Sequence, residues 1–252
     1  MRLVGSVLAV SATIIIFPRT LKAAPPRPNG IGKPGHRSCY FASWALYRQE
    51  DIMYSLNDVP GDLCTHLVYE GYSLISKRTW GIKPLEPWYE VTSNAYEKFL
   101  TLQKKHPHLK SLFSVGGWDQ RSLLPQMLSA KVHRDAFINS TVEFLKEYGL
   151  DGLDIDWEFP AEGGPEGTSQ AHINNFLTLI RELRAAFDTA GKDWELTAAV
   201  TISQDIVNGG RHLNQICDLV DSVTSVANGV RGYWDGFARG ETNVPGITCQ
   251  NF

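Results

Sequence analysis

The chain has 252 residues, 43% hydrophobic, 20% charged and 11% aromatic. These are the proportions of an ordinary globular protein and exclude a disordered, collagenous or polytopic membrane chain. Twenty-four Lys and Arg against 27 Asp and Glu give a formal charge of -3, which leaves no basic footprint for nucleic acid and no polybasic membrane patch.

Arg2 precedes an almost unbroken apolar run from Leu3 to Phe17, ended by Pro18, and Ala23-Ala24 supplies small residues for cleavage. Residues 1–24 therefore read as an export signal, and the protein as secreted. The run falls short of the roughly 20 apolar residues of a membrane span, so an uncleaved anchor is the weaker alternative. Residues 25–36 are rich in Pro and Gly and form a linker, and residues 37–252 form the folded part. Four cysteines follow an export signal, a count that favours disulfides. Cys39 and Cys64 open two strand-like runs, and adjacent parallel strands would bring them together, with about 3 kcal/mol of stabilisation in the chain-entropy model. Cys217 and Cys249 pair only by elimination. No cysteine or histidine spacing matches a zinc site, and no metal or other cofactor is expected.

Short apolar runs then alternate with helical patterns. Strands are predicted at Cys39 to Ala45, Thr65 to Tyr69, Lys110 to Val115, Gly152 to Glu158, Trp194 to Val200 and Leu219 to Val226. Helices are predicted at Ala95 to Lys105 and across roughly Leu124 to Tyr148. A third carries Ile173, Phe176, Leu177, Ile180, Leu183 and Phe187 on one stripe. The alternation implies an α/β fold of parallel β/α units, closed as a doubly wound sheet or as a (β/α)8 barrel. Gly116-Gly117 does not complete a dinucleotide-binding pattern, which disfavours the nucleotide-binding form.

The strongest chemical signal is Asp151-Gly152-Leu153-Asp154-Ile155-Asp156-Trp157-Glu158-Phe159-Pro160. On a strand, Asp154, Asp156 and Glu158 share one face, and Leu153, Ile155 and Trp157 the other. Three carboxylates about 6.5 Å apart in file cannot all ionise cheaply away from water. One of them should hold a proton near neutral pH, as a general acid requires. A solvated edge-strand face would not need the tight apolar alternation, and a calcium loop would need other spacing.

This segment resembles the signature of glycoside hydrolase family 18, the chitinases and chitinase-like lectins. Lys110 to Trp118, Cys39 to Arg48, Leu63 to Tyr69 and Asn175 to Phe187 are similar to the family's third, first and second strands and to the helix after its catalytic strand. The resemblance implies a TIM-type (β/α)8 barrel, here incomplete with about six β/α units, and a site at the C-terminal ends of the strands. It implies that Glu158 protonates the glycosidic oxygen while the substrate's own acetamido oxygen attacks, with retention of configuration. Asp156 would orient the acetamido group and Asp154 would share a proton with Asp156. Trp118, Tyr40 and Gly117 would line sugar subsites. The implied partner is chitin or its oligosaccharides.

The sequence also departs from that pattern. Where the family's second strand continues Tyr-Ala-Phe, Tyr69 is followed by Glu70-Gly71-Tyr72. Where its sixth strand carries Met-Thr-Tyr-Asp, this chain has Val226-Ala227-Asn228-Gly229, so Asn228 is the candidate for the missing Tyr's hydrogen bond. The last two β/α units are expected to be missing, which would leave open strand edges for a second copy or the C-terminal tail to cover. Asn139-Ser140-Thr141 is a glycosylation sequon inside a predicted helix. Two functions compete: a secreted chitinase, favoured by Glu158, and a non-hydrolytic chitin-binding protein, favoured by the departures.

Overall fold

The computed structural model describes residues 37–49, 53–84, 94–117, 120–157, 170–201 and 215–226. The proposed export signal and linker lie outside these residues. Six parallel strands form one sheet: β1 (Ser38–Ala42), β2 (His66–Ile75), β4 (Lys110–Gly116), β5 (Gly152–Asp156), β6 (Glu195–Thr201) and β7 (Ser222–Val226), in spatial order β1-β2-β4-β5-β6-β7. A short strand, β3 (Ile82–Pro84), turns back antiparallel on the end of β2. The helices are α1 (Ala95–Lys105), α2 (Leu123–Ser129), α3 (Lys131–Tyr148) and α4 (Gln170–Thr189). Sequential neighbours joined by helices make this an incomplete (β/α)8 barrel rather than a doubly wound sheet, whose order would reverse partway.

Alternation along each strand divides the side chains between a helix-covered outer face and the barrel interior. Outward-facing Phe41, Leu67, Tyr69, Phe113, Val115, Leu153, Ile155 and Leu196 are buried in one core with Phe99, Leu128, Phe137, Phe176 and Ile180 of the helices. Tyr69 is fully buried there, its ring 5.4 Å from Phe41, 5.6 Å from Tyr96 and 5.1 Å from Phe99. Trp157 likewise meets Phe176 edge to face at 4.9 Å.

α1 has the bounds its sequence predicts. The region from Leu124 to Tyr148 is instead two helices, broken at Ala130, whose backbone is extended (φ -122°, ψ 134°). The buried Arg134 stabilises the break. Its guanidinium donates to the Leu128 carbonyl in the last turn of α2 at 2.8 Å and to both carboxylate oxygens of Glu182 on α4, at 2.7 and 3.1 Å. The first strand ends at Ala42, where Ser43–Tyr47 forms a 3-10 helix, and the sixth begins at Ser222. The second strand runs past Tyr69 to Ile75. Cys39 and Cys64 form a disulfide. Cys217 is disulfide-bonded as well, and Cys249, the partner expected for it, lies outside the described residues. Asn139 is exposed on α3, whereas Thr141 of the same sequon is fully buried. Among the described residues no helix is long and apolar enough to cross a membrane.

Candidate functional site

The site is built around β5, whose five residues are all buried. Gly152 makes that possible at its start. A side-chain carbon there would stand 2.2 Å from the carbonyl oxygen of Glu195, so β5 and β6 approach closely only because that position is bare. The register then sets Ser114 of β4, Asp154 of β5 and Thr197 of β6 side by side. One step nearer the C-terminal ends, Gly116, Asp156, Ala199 and Thr224 are aligned in the same way.

Asp154 is fully buried and Asp156 is 5% exposed. Hydroxyl groups surround the Asp154 carboxyl. Thr197 Oγ1 donates to Oδ1 at 2.5 Å, Ser114 Oγ donates to Oδ2 at 3.0 Å, and the Tyr40 phenol reaches Oδ2 at 3.4 Å. Burial pushes the Asp154 pKa above the ordinary 3.8, because the charged form loses its water; the hydrogen bonds from Thr197, Ser114 and Tyr40 oppose this without reversing it. The interior therefore holds a carboxyl group biased toward keeping its proton next to a second one on the same strand face.

Tyr40 starts level with Gly152 in register and extends up the interior, so its hydroxyl lies beside Asp154 and also 3.2 Å from Thr224 Oγ1. Gly117 (φ +75°) follows the end of β4; its N–H donates to the Asp156 carbonyl at 2.8 Å, and its α-carbon faces the Asp156 carboxyl. Trp118, Glu158 and Asn228 lie outside the described residues. Opposite the end of β4, β2 runs four residues from Tyr69 to Ser73 while β4 advances only two, from Phe113 to Val115. This irregularity spans Glu70-Gly71-Tyr72, the segment that departs from the family pattern. At the opposite end, His66 Nε2 and Glu195 Oε2 meet at 2.9 Å and Asp151 accepts from the Ser111 N–H at 2.8 Å.

Sequence reasoning did not single out Ser114, Thr197, Thr224 or Gln120. The signal available for the first two was a small hydroxyl residue in the inward phase of an otherwise apolar strand. Among the described residues no group of three or more His, Cys, Asp or Glu could hold a metal ion.

A parallel half-barrel carrying a buried acidic pair on one central strand defines a β/α-barrel protein of the glycosidase type. The sequence profile of the glycosyl hydrolases family 18 matches residues 36–247, and the chain belongs to that family. It is 37% identical over 201 residues to the endochitinase of Manduca sexta, a match covering 79% of this chain and 36% of that protein. Catalytic domain 2 of the Ostrinia furnacalis Group II chitinase superimposes with a TM-score of 0.70 at 29% identity, covering 80% of this chain and 52% of that one. Human YKL-39, described as a pseudo-chitinase with retained chitooligosaccharide binding, superimposes with a TM-score of 0.64 at 27% identity, over 75% of this chain and 50% of that one. The chain thus spans about a third to a half of the length of these relatives.

Proposed function

We propose that the chain cleaves β-1,4 linkages between N-acetylglucosamine units by substrate-assisted, retaining catalysis. The observation that carries this is the buried Asp154–Asp156 pair, with Asp154 biased toward its protonated form, on the strand that leads to Glu158. In the proposed reaction Glu158 donates a proton to the leaving glycosidic oxygen, and the acetamido oxygen of the substrate attacks the anomeric carbon from the other side. Asp156 holds the acetamido N–H and balances the positive charge that develops on the ring intermediate. Asp154 shares one proton with Asp156: held on Asp154, it leaves Asp156 ionised toward the substrate, and passed to Asp156, it leaves Asp154 as the charged member of the pair. The roles are assigned to the ladder as a unit. Glu158 then takes a proton from the water that opens the intermediate. Trp118 is proposed as an aromatic wall for the pyranose. Export to an oxidising compartment is part of the proposal, and the Cys39–Cys64 disulfide supports it.

The test is release of a chromogenic reporter from a chitobiose or chitotriose glycoside. Turnover by the wild type that is lost in Glu158→Gln supports hydrolysis. Oligosaccharide binding without turnover selects the non-hydrolytic reading, which the departures at Glu70-Gly71-Tyr72 and Asn228 favour.

A further inference from the structure

Asn139-Ser140-Thr141 is the single Asn-x-Ser/Thr triplet in the 252 residues, and its three side chains meet three different surroundings on α3. Asn139 is exposed, on the solvent stripe that also carries Val132, Glu143 and Lys146. The Ser140 hydroxyl serves the fold: it accepts from the Ile82 N–H of β3 at 3.0 Å and donates to the Phe137 carbonyl at 2.9 Å. Thr141 lies on the opposite stripe with Phe137, Ile138 and Leu145, and is fully buried. Among the described residues its hydroxyl has no hydrogen-bond partner. A buried donor without an acceptor keeps its desolvation cost, and Val has the same shape without the hydroxyl. Packing alone therefore asks for Val at this position, and the hydroxyl of Thr141 answers to something other than the folded state.

We infer that Asn139 is a site of N-linked glycosylation, that Thr141 is kept for this modification, and that the sugar is attached before α3 folds. The inference rests on the proposed export of the chain, because the sugar donor is met on the lumenal side of the secretory membrane. In the transfer, the Asn139 side-chain nitrogen bonds to C1 of the N-acetylglucosamine at the reducing end of a lipid diphosphate-linked oligosaccharide. The bond from C1 to the diphosphate oxygen breaks, the lipid diphosphate leaves with the electron pair, and the amide gives up one proton. The acceptor is read as a pair, an Asn and a hydroxyl two residues on. In a helix those two positions are turned about 200° apart. Folded α3 thus shows the amide to solvent and hides the hydroxyl in the core, where no transferase can hold both. An unfolded chain presents the two together, and the fold can still close on the modified chain because Asn139 points outward.

The experiment is translation of the full chain with microsomal membranes, once from its own start and once behind an appended export signal. Chain protected from added protease has entered the membranes and should carry one glycan. Peptide N-glycosidase should then convert Asn139 to aspartate in the tryptic peptide of residues 135–146. Asn139→Gln, a change at an exposed position, should enter and stay unmodified, as should Thr141→Val, whereas Thr141→Ser should keep the glycan. Wild-type chain that has folded before the solubilised transferase and its lipid-linked donor are added should also stay unmodified. Prepared without glycan, Thr141→Val should melt about 2–4 °C above the wild type, because it loses an idle buried hydroxyl. Entered wild-type chain with Asn139 bare, or a glycan that survives in Thr141→Val, overturns the site. A folded chain modified as fully as one made during translation overturns the timing. A Thr141→Val protein that is no more stable than the wild type, or that fails to fold, overturns the idleness of the hydroxyl, and Asn139→Gln still decides the site. A chain that enters only behind the appended signal rejects the proposed export, and the glycan on that chain then decides Asn139 by itself.

Discussion

The α-carbon of Gly116 on β4 packs so closely on the backbone of Asp156 on β5 that a side-chain carbon there would stand 1.9 Å from the Asp156 carbonyl oxygen. The backbone of Gly116 also has φ +136°, a conformation that other residues rarely adopt. Gly116→Ala must therefore displace β5 at the acidic pair or distort the end of β4. A loss of at least about 2 kcal/mol in unfolding free energy is expected. A shift of Asp156 by 1 Å would further reduce reporter turnover by on the order of a hundredfold. Chemical denaturation and reporter kinetics on the same preparation measure the two effects.

Asp154 makes stability depend on pH in a stated direction. Its folded pKa is raised above the ordinary 3.8 by burial, so the folded state holds its proton after the unfolded chain has released it. From about the ordinary carboxylate pKa upward, rising pH therefore favours the unfolded state, until Asp154 ionises in the fold as well. Within that window each pH unit costs about 1.4 kcal/mol per proton. Asp154→Asn should remove this component. Its melting temperature should gain on the wild type as pH rises through the window and match or trail it below, as differential scanning calorimetry over a pH series would show.

The acidic strand was legible from its residues because a period of two needs no partner: Leu153, Ile155 and Trp157 face the helices, while Asp154 and Asp156 share the interior face. α1 was legible because its apolar stripe and ends are local. The break at Ala130 was not, since it depends on Arg134 reaching Leu128 and a glutamate on another helix. The hydroxyl groups around Asp154 were also hidden. Ser114, Thr197 and Tyr40 come from three other strands, and only the register of the whole sheet brings them to one carboxyl. The end of β2 was read as short because Glu70 and Gly71 interrupt its apolar pattern, whereas pairing with β1 and β3 carries the strand to Ile75.

Arg134 joins three helices. Its side chain is 10% exposed, against 27% for Glu182. Hydrogen bonding to Glu182 raises its pKa further, so it stays charged throughout the range in which the protein folds. Arg134→Met fills much of the same volume but leaves the partly buried Glu182 carboxylate and the Leu128 carbonyl without the fork. Removing one member of such a pair should cost about 2 kcal/mol or more. Arg134→Lys keeps the charge without the planar fork and should fall between Arg134→Met and the wild type. Urea unfolding midpoints at constant m-value would establish the order of the three proteins.

Gln120 couples the end of β2 to the segment after β4. Its buried side-chain oxygen accepts from the Ile75 N–H at 2.8 Å, and its own N–H donates to the Gly117 carbonyl at 3.1 Å. Gln120→Leu keeps the bulk but strands the Ile75 N–H, for an expected loss of about 1–3 kcal/mol. In a chain of this size each kcal/mol lowers the melting temperature by about 2–4 °C. Gln126→Leu is the control: Gln126 is exposed on α2, its amide bonds only locally to the Ser122 carbonyl at 2.9 Å, and its loss should change stability by no more than about 0.5 kcal/mol. Equal melting temperatures for the two variants would show that Gln120 does not hold the mouth of the barrel together. A lower value for Gln120→Leu alone would place that role on its bond to Ile75.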